Sequence, residues 1–300
     1  MSSRTFPPEK RSGDPEISPQ RSPKRELRGF RTDTEHGRGL RMLSIATVAA
    51  IPIALALVFF YAPIEAEEGF LQKIFYLHVP LAIITLCGFV IGGLLAIVHL
   101  RTRERNWDLR SYVAIHMSLI FGVGTLITGS IWARGSWGHW WVWSEPTLVS
   151  FLIVMLLYAT YQPLRFAIED PERQARYASV FAIVAGAFVP LNFLAVRLST
   201  EYLHPRVLGS SSNLPAPMAF TFLVSLVAMA LLFATLCSYE LTAKRSRMLL
   251  KARSRILGFQ GASTPPHAGR AGSSPERAVP AVAPREVAAP ITTSASAPLR

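Results

Sequence analysis

Charge is scarce in this chain. Only 17% of its 300 residues are charged while 50% are hydrophobic, and a soluble domain carries about 25% charged residues, so most of the chain cannot present a water-facing surface. Cysteine is scarcer still. Cys87 and Cys237 lie far apart, each inside an apolar block, so there is no CxxC pair for thiol exchange or a tetrahedral zinc site, and both are expected to be buried as hydrophobes. A P-loop and a Ser-His-Asp set are also missing, as is any metal-ligand cluster away from the ends of the apolar blocks. A nucleotide hydrolase or a conventional hydrolytic enzyme is therefore not expected.

What is abundant is apolar sequence, with a mean hydropathy of +0.31, gathered in blocks of about 20 residues, the length that crosses a hydrocarbon core. The blocks run from Leu40 to Tyr61, Val79 to Leu100, Tyr112 to Ala133, Thr147 to Leu164, Ala178 to Leu198 and Met218 to Glu240. They predict an all-α, polytopic membrane protein: a six-transmembrane helix bundle over residues 39–243, flanked by polar tails. Residues 1–38 are rich in Pro, Ser, Arg and Glu and residues 244–300 begin basic and end in a Pro, Ala and Ser mixture. Residues 1–38 and the stretch from about Gly258 are expected to be disordered, because they have too little apolar surface to offset the entropy of ordering. The first block begins too late and runs too long for a cleaved signal and is expected to stay as the first span.

The formal charge of +12 sits in the tails and two short connections rather than on one folded face, so nucleic acid is not an expected partner. Membrane topology accounts for it. Arg38 and Arg41, then Arg101, Arg103, Arg105 and Arg110, then Arg165, Arg173 and Arg176, and finally Lys244 to Arg255 mark one side as cytoplasmic. The alternate connections are poor in positive charge and are expected outside. Both termini are then cytoplasmic. Gly88 and Gly92 form a GxxxG pair in the second span, and Gly122, Gly124 and Gly129 thin the third, which suits close helix packing.

One outer connection is unlike the rest. Between Arg134 and Pro146 lie four of the six tryptophans, Trp137, Trp140, Trp141 and Trp143, together with His139 and Glu145. A helix would place Trp137, Trp140 and Trp141 on one face, and an extended strand would align Trp137, Trp141 and Trp143. Either builds a platform for a flat apolar ligand; the alternative is an interfacial aromatic belt or a docking surface.

His78 and His204 lie just outside spans on the same side. Neutral imidazoles on opposite faces of a porphyrin would make a six-coordinate heme iron beside the tryptophans. Lys73 and Arg134 are on that side too, either to meet the propionates or to snorkel to water. Two other readings compete. His99 and His116, near the cytoplasmic side, would suit a b-type electron-carrying subunit; a transporter would need polar groups at the midplane, where Asn192 after Pro190 is a rare example.

The run Phe75-Tyr-Leu-His-Val-Pro80, then Trp137-Gly-His-Trp-Trp-Val-Trp143, then His204, resembles the heme-handling family that contains heme exporter protein C and the larger cytochrome c synthetases. The resemblance covers about Leu40 to Lys244. It implies heme b as ligand, His78 and His204 as its axial ligands, contact through Trp137, Trp140, Trp141 and Trp143, and Lys73 and Arg134 beside the heme edge. It also implies a bacterial inner-membrane location, a periplasmic heme chaperone as recipient, and an ATP-binding-cassette pair with a small helper membrane subunit as partners. The family's Trp-Asp step is absent: Trp143 is followed by Ser144 and Glu145. Glu145 is displaced by one residue from the acidic position, and His139 is an addition expected at the rim.

Overall fold

The computed structural model describes residues 34–66, 68–198 and 214–262. Among these the regular elements are helices: α1 (Thr34–Ala56), α2 (Phe75–Thr102), α3 (Arg105–Trp137), α4 (Pro146–Ala159), α5 (Tyr161–Phe166), α6 (Pro171–Leu198) and α7 (Ala216–Ala262). A π-helical turn, Leu57–Tyr61, extends α1, and a 3-10 turn, Phe70–Ile74, leads into α2. Among the described residues six stretches are long and apolar enough to cross a membrane: Gly37–Tyr61, Phe70–Thr102, Arg105–Trp137, Pro146–Phe166, Pro171–Leu198 and Ala216–Ser254. They coincide with the six expected spans.

The ends differ from expectation. Helix begins at Thr34 and continues to Ala262, so the expected boundaries at residues 38 and 244 fall inside helices. The expected disorder otherwise falls on residues outside the described set. By contacts the chain divides into Met1–Ile256, which holds the bundle, and Leu257–Arg300, of which residues 257–262 are helical.

α2 is the central helix, packed along α3 and α6. Its hairpin with α3 turns on only Arg103 and Glu104, Arg103 taking the left-handed conformation with its N–H on the His99 carbonyl at 2.8 Å. Close approach explains the paired glycines. A Cβ at Gly92 would come within 2.6 Å of the Ile115 side chain, and the space lets Ser111 Oγ donate to the Gly92 carbonyl at 2.7 Å. Small-residue packing of this kind substitutes for a hydrophobic drive that lipid does not supply.

The interior has an aromatic and an ionic part. Phe89 of α2 stacks on Tyr158 of α4 with centroids 3.7 Å apart. At the end of the bundle opposite His78, Arg165 makes two hydrogen bonds to Asp108, at 2.8 and 2.6 Å. α7 closes the other flank, with Met218 and Phe222 packed against Val58, Ala62 and Tyr76. Cys237 is partly buried, but Cys87 is exposed on the bundle surface. The expectation that both are buried is corrected for Cys87: an apolar span shows that a residue lies at membrane depth, not which way it faces.

Candidate functional site

α3 ends at Trp137 because Gly138 takes a positive φ of 76°, the left-handed cap that glycine adopts without strain. Eight irregular residues follow before α4 starts at Pro146, a favoured first helical residue. The tryptophan segment is therefore neither one helix nor one strand, and its rings part company. Trp137 and Trp141 turn inward, while Trp140 and Trp143 are 60% and 74% exposed.

The inward rings line a cleft of about 250 Å³ at the His78 end of the bundle, walled by α2, the second half of α3, the start of α4 and the end of α6. His78, Asn192 and Arg197 supply the larger polar groups, and Trp132, Trp137, Trp141 and Phe151 much of the apolar wall. Trp132 meets Trp137 edge to face at 5.0 Å, and Trp143 leans on Trp141 at 5.9 Å. The indole N–H of Trp141 is buried with no hydrogen-bond partner among the described residues.

His78 is held by α3. Its Nδ1 lies 3.1 Å from Thr128 Oγ1, and Thr128 gives its own proton to the Gly124 carbonyl at 2.8 Å. An imidazole protonated at Nδ1 would donate to that hydroxyl oxygen and present Nε2 as the atom for metal ligation. Gly129 makes room: a Cβ there would stand 2.8 Å from His78 Cε1.

The expected basic residues are elsewhere. Lys73 is 7% exposed and donates to the carbonyls of Ala62, at 2.6 Å, and Pro63, at 3.4 Å. It satisfies backbone at the end of the first span, outside the cleft lining. Arg134 is exposed and donates to the Gly138 carbonyl, bracing the loop. Glu145 is 1% exposed and accepts from the Thr147 N–H at 3.2 Å, the N-cap of α4. His139 is exposed in the loop. His204 lies outside the described residues.

Arg197 and Trp132 line the cleft without having been singled out in the sequence. Both sit inside apolar spans, where an arginine at the outer end or a tryptophan one turn before the loop is easily counted as interfacial. The histidines at the opposite end each have their own partner. His99 Nδ1 lies 2.9 Å from the Glu104 carbonyl, and His116 Nδ1 accepts from the Gln162 amide at 3.1 Å, which puts the His116 proton on Nε2. Among the described residues no group of three or more His, Cys, Asp or Glu is placed to hold a metal ion.

A family model described as heme exporter protein C matches residues 31–257. Similar proteins carry the same description. That of Rhodobacter capsulatus is 33% identical over 168 residues, 56% of this chain and 69% of the relative. That of Bradyrhizobium diazoefficiens is 33% identical over 239 residues, covering 75% and 84%, and that of Escherichia coli is 27% identical over 216 residues, covering 71% and 85%.

Proposed function

The chain belongs to the heme exporter protein C family, which serves heme export for cytochrome c biogenesis, and from that premise we propose that it holds heme b in the cleft beside His78 and presents it for transfer. The carrying observation is the His78–Thr128 pair inside an aromatic wall. The donor set fits the ligand: an imidazole poised through Nε2 for iron, indole and phenyl rings for the macrocycle, and Arg197 for a propionate. His204 is proposed as the second axial ligand.

Iron supplies the ligation that fixes the ring; the chain supplies position. Trp137 and Trp141 support the flat face, Trp141 N–H offers a donor to a polar edge, and the apolar wall limits water. Trp140 and Trp143, exposed beside the mouth, are proposed as the docking surface for a periplasmic heme chaperone. Lys73 and Arg134 act here as braces of the outer end, not as heme-edge contacts, and Glu145 holds the loop to α4. His139 is at the loop rim.

Arg101, Arg103, Arg105 and Arg110 lie at the end opposite His78, which supports a cytoplasmic placement of that end, with both termini, in a bacterial inner membrane. An ATP-binding-cassette pair and a small helper membrane subunit are the proposed partners for energising release.

The test is the visible spectrum of the full chain purified from heme-replete cells. Loss of heme or conversion to high spin in His78→Ala and His204→Ala, with a His99→Ala/His116→Ala variant unchanged, is expected. Heme that survives in the first two and is lost in the third would overturn the assignment in favour of an electron carrier.

A further inference from the structure

At the end opposite His78 a second cavity, about 340 Å³, opens between the start of α1, the first turns of α3 and the distal part of α7. Arg110 and Arg245 both line it, with Leu40, Leu43 and Leu241 as its apolar wall. Two cations thus share one partly enclosed space, and no carboxylate lies among its described lining residues. The nearby acids are engaged elsewhere, Asp108 with Arg165 at 2.6 Å and Glu240 with Lys244 at 3.0 Å.

The donors are only part used. Arg245 Nη2 donates to Asn106 Oδ1 at 2.6 Å, while its Nε is buried with no partner among the described residues. Arg110 has its guanidinium over the Trp107 ring at 4.7 Å, which orients the plane without consuming its N–H groups. The lining hydroxyls of Ser238 and Thr242 give their protons to the carbonyls of Ala234 and Ser238. A buried guanidinium donor without an acceptor is costly, and the Arg245 fork beside a second guanidinium suits a phosphate.

The apolar wall selects the source of that phosphate. Leu40, Leu43 and Leu241 belong to segments long and apolar enough to cross a membrane, Gly37–Tyr61 and Ala216–Ser254, so the wall beside the two guanidinium groups lies at the edge of the hydrocarbon, a place for acyl chains rather than for a free anion. We propose that Arg110 and Arg245 bind the phosphate of an anionic phospholipid, with its chains against Leu40, Leu43 and Leu241. Such a site would fix α1 to the α3 and α7 ends by a lipid, independently of the heme cleft.

Native mass spectrometry of the detergent-purified full chain tests this, with phosphatidylglycerol or phosphatidylcholine added. The wild type is expected to retain phosphatidylglycerol in preference, and Arg110→Gln/Arg245→Gln to retain about tenfold less. Arg173→Gln/Arg176→Gln, which removes two exposed charges from another region of the same end, is expected to match wild type. Leu43→Trp keeps both arginines but fills the cavity; it too should lose retention, and it decides the matter if the double variant does not fold. No preference in the wild type, or equal loss in the Arg173/Arg176 control, would overturn the site. Displacement by excess inorganic phosphate would assign the cavity to a soluble anion instead.

Discussion

His78 of α2 and Thr128 of α3 are joined by a 3.1 Å hydrogen bond, and its direction follows from where the threonine proton goes. With that proton given to the Gly124 carbonyl, an imidazole protonated at Nδ1 would donate to the threonine oxygen and present Nε2 to a ligand. Outer partners of this kind typically alter metal affinity by about 10–100-fold when removed. Thr128→Val is therefore expected to weaken heme retention about tenfold, on the low side of that range, and to shift the heme midpoint potential. Thr128→Ser, which keeps the hydroxyl, should restore both. Heme titration and potentiometry of the three proteins check it; equal behaviour of Val and Ser variants would sink the positioning role.

The division of the tryptophans predicts two phenotypes. Trp137 and Trp141 line the cleft, whereas Trp140 and Trp143 face out. Trp137→Ala/Trp141→Ala should lower heme content, since each lost base-like stacking surface forfeits buried aromatic area. Trp140→Ala/Trp143→Ala should keep the heme spectrum and reduce only transfer to the proposed chaperone. Content and transfer, measured on the same preparations, would reject the division if both pairs lost heme alike.

Six spans were legible because a bilayer demands long apolar runs, and nothing in a soluble fold imposes so coarse a signal. Their ends were not, because helix persists past the hydrocarbon: α7 continues through Lys244, Arg245 and Lys251, residues that sequence alone assigns to a tail. Of the residues the sequence singles out, His78, Trp137 and Trp141 come to one cleft, but the facing of each ring was not legible, since it depends on Gly138 ending α3 one residue after Trp137. Trp132 and Arg197 escaped because helical facing is invisible in a uniformly apolar span. Thr128 escaped because a hydroxyl three turns from the loop has no signature until α2 is packed beside it.

The Asp108–Arg165 pair carries a stability prediction. Both side chains are largely buried, at 5% and 12% exposure, so removing one leaves an uncompensated charge, a cost of about 3–5 kcal/mol. Asp108→Leu and Arg165→Met should each lower the thermal midpoint in detergent markedly. Asp108→Leu/Arg165→Met together should cost less than the sum of the singles, because no orphan charge remains. Additive losses would show that the two residues act through separate contacts.

Lys73 and Arg197 are the two basic residues between which the proposed propionate contact has to be decided. Lys73 Nζ is fastened to the Ala62 carbonyl at 2.6 Å, so Lys73→Met leaves that carbonyl without its lysine donor and should cost about 1–3 kcal/mol of stability with the heme spectrum unchanged. Arg197 lines the cleft and rests against the Phe193 ring at 6.0 Å, placed to meet a carboxylate rather than to brace backbone. A charge-assisted hydrogen bond is worth about 1.5–3 kcal/mol, so Arg197→Gln should weaken heme retention by roughly tenfold or more while the thermal midpoint of the heme-free chain stays near wild type. Unfolding curves and heme titrations on both variants separate the two effects. If Lys73→Met loses heme at unchanged stability and Arg197→Gln retains it, the propionate contact lies at Lys73 and the cleft is entered from the α1 side.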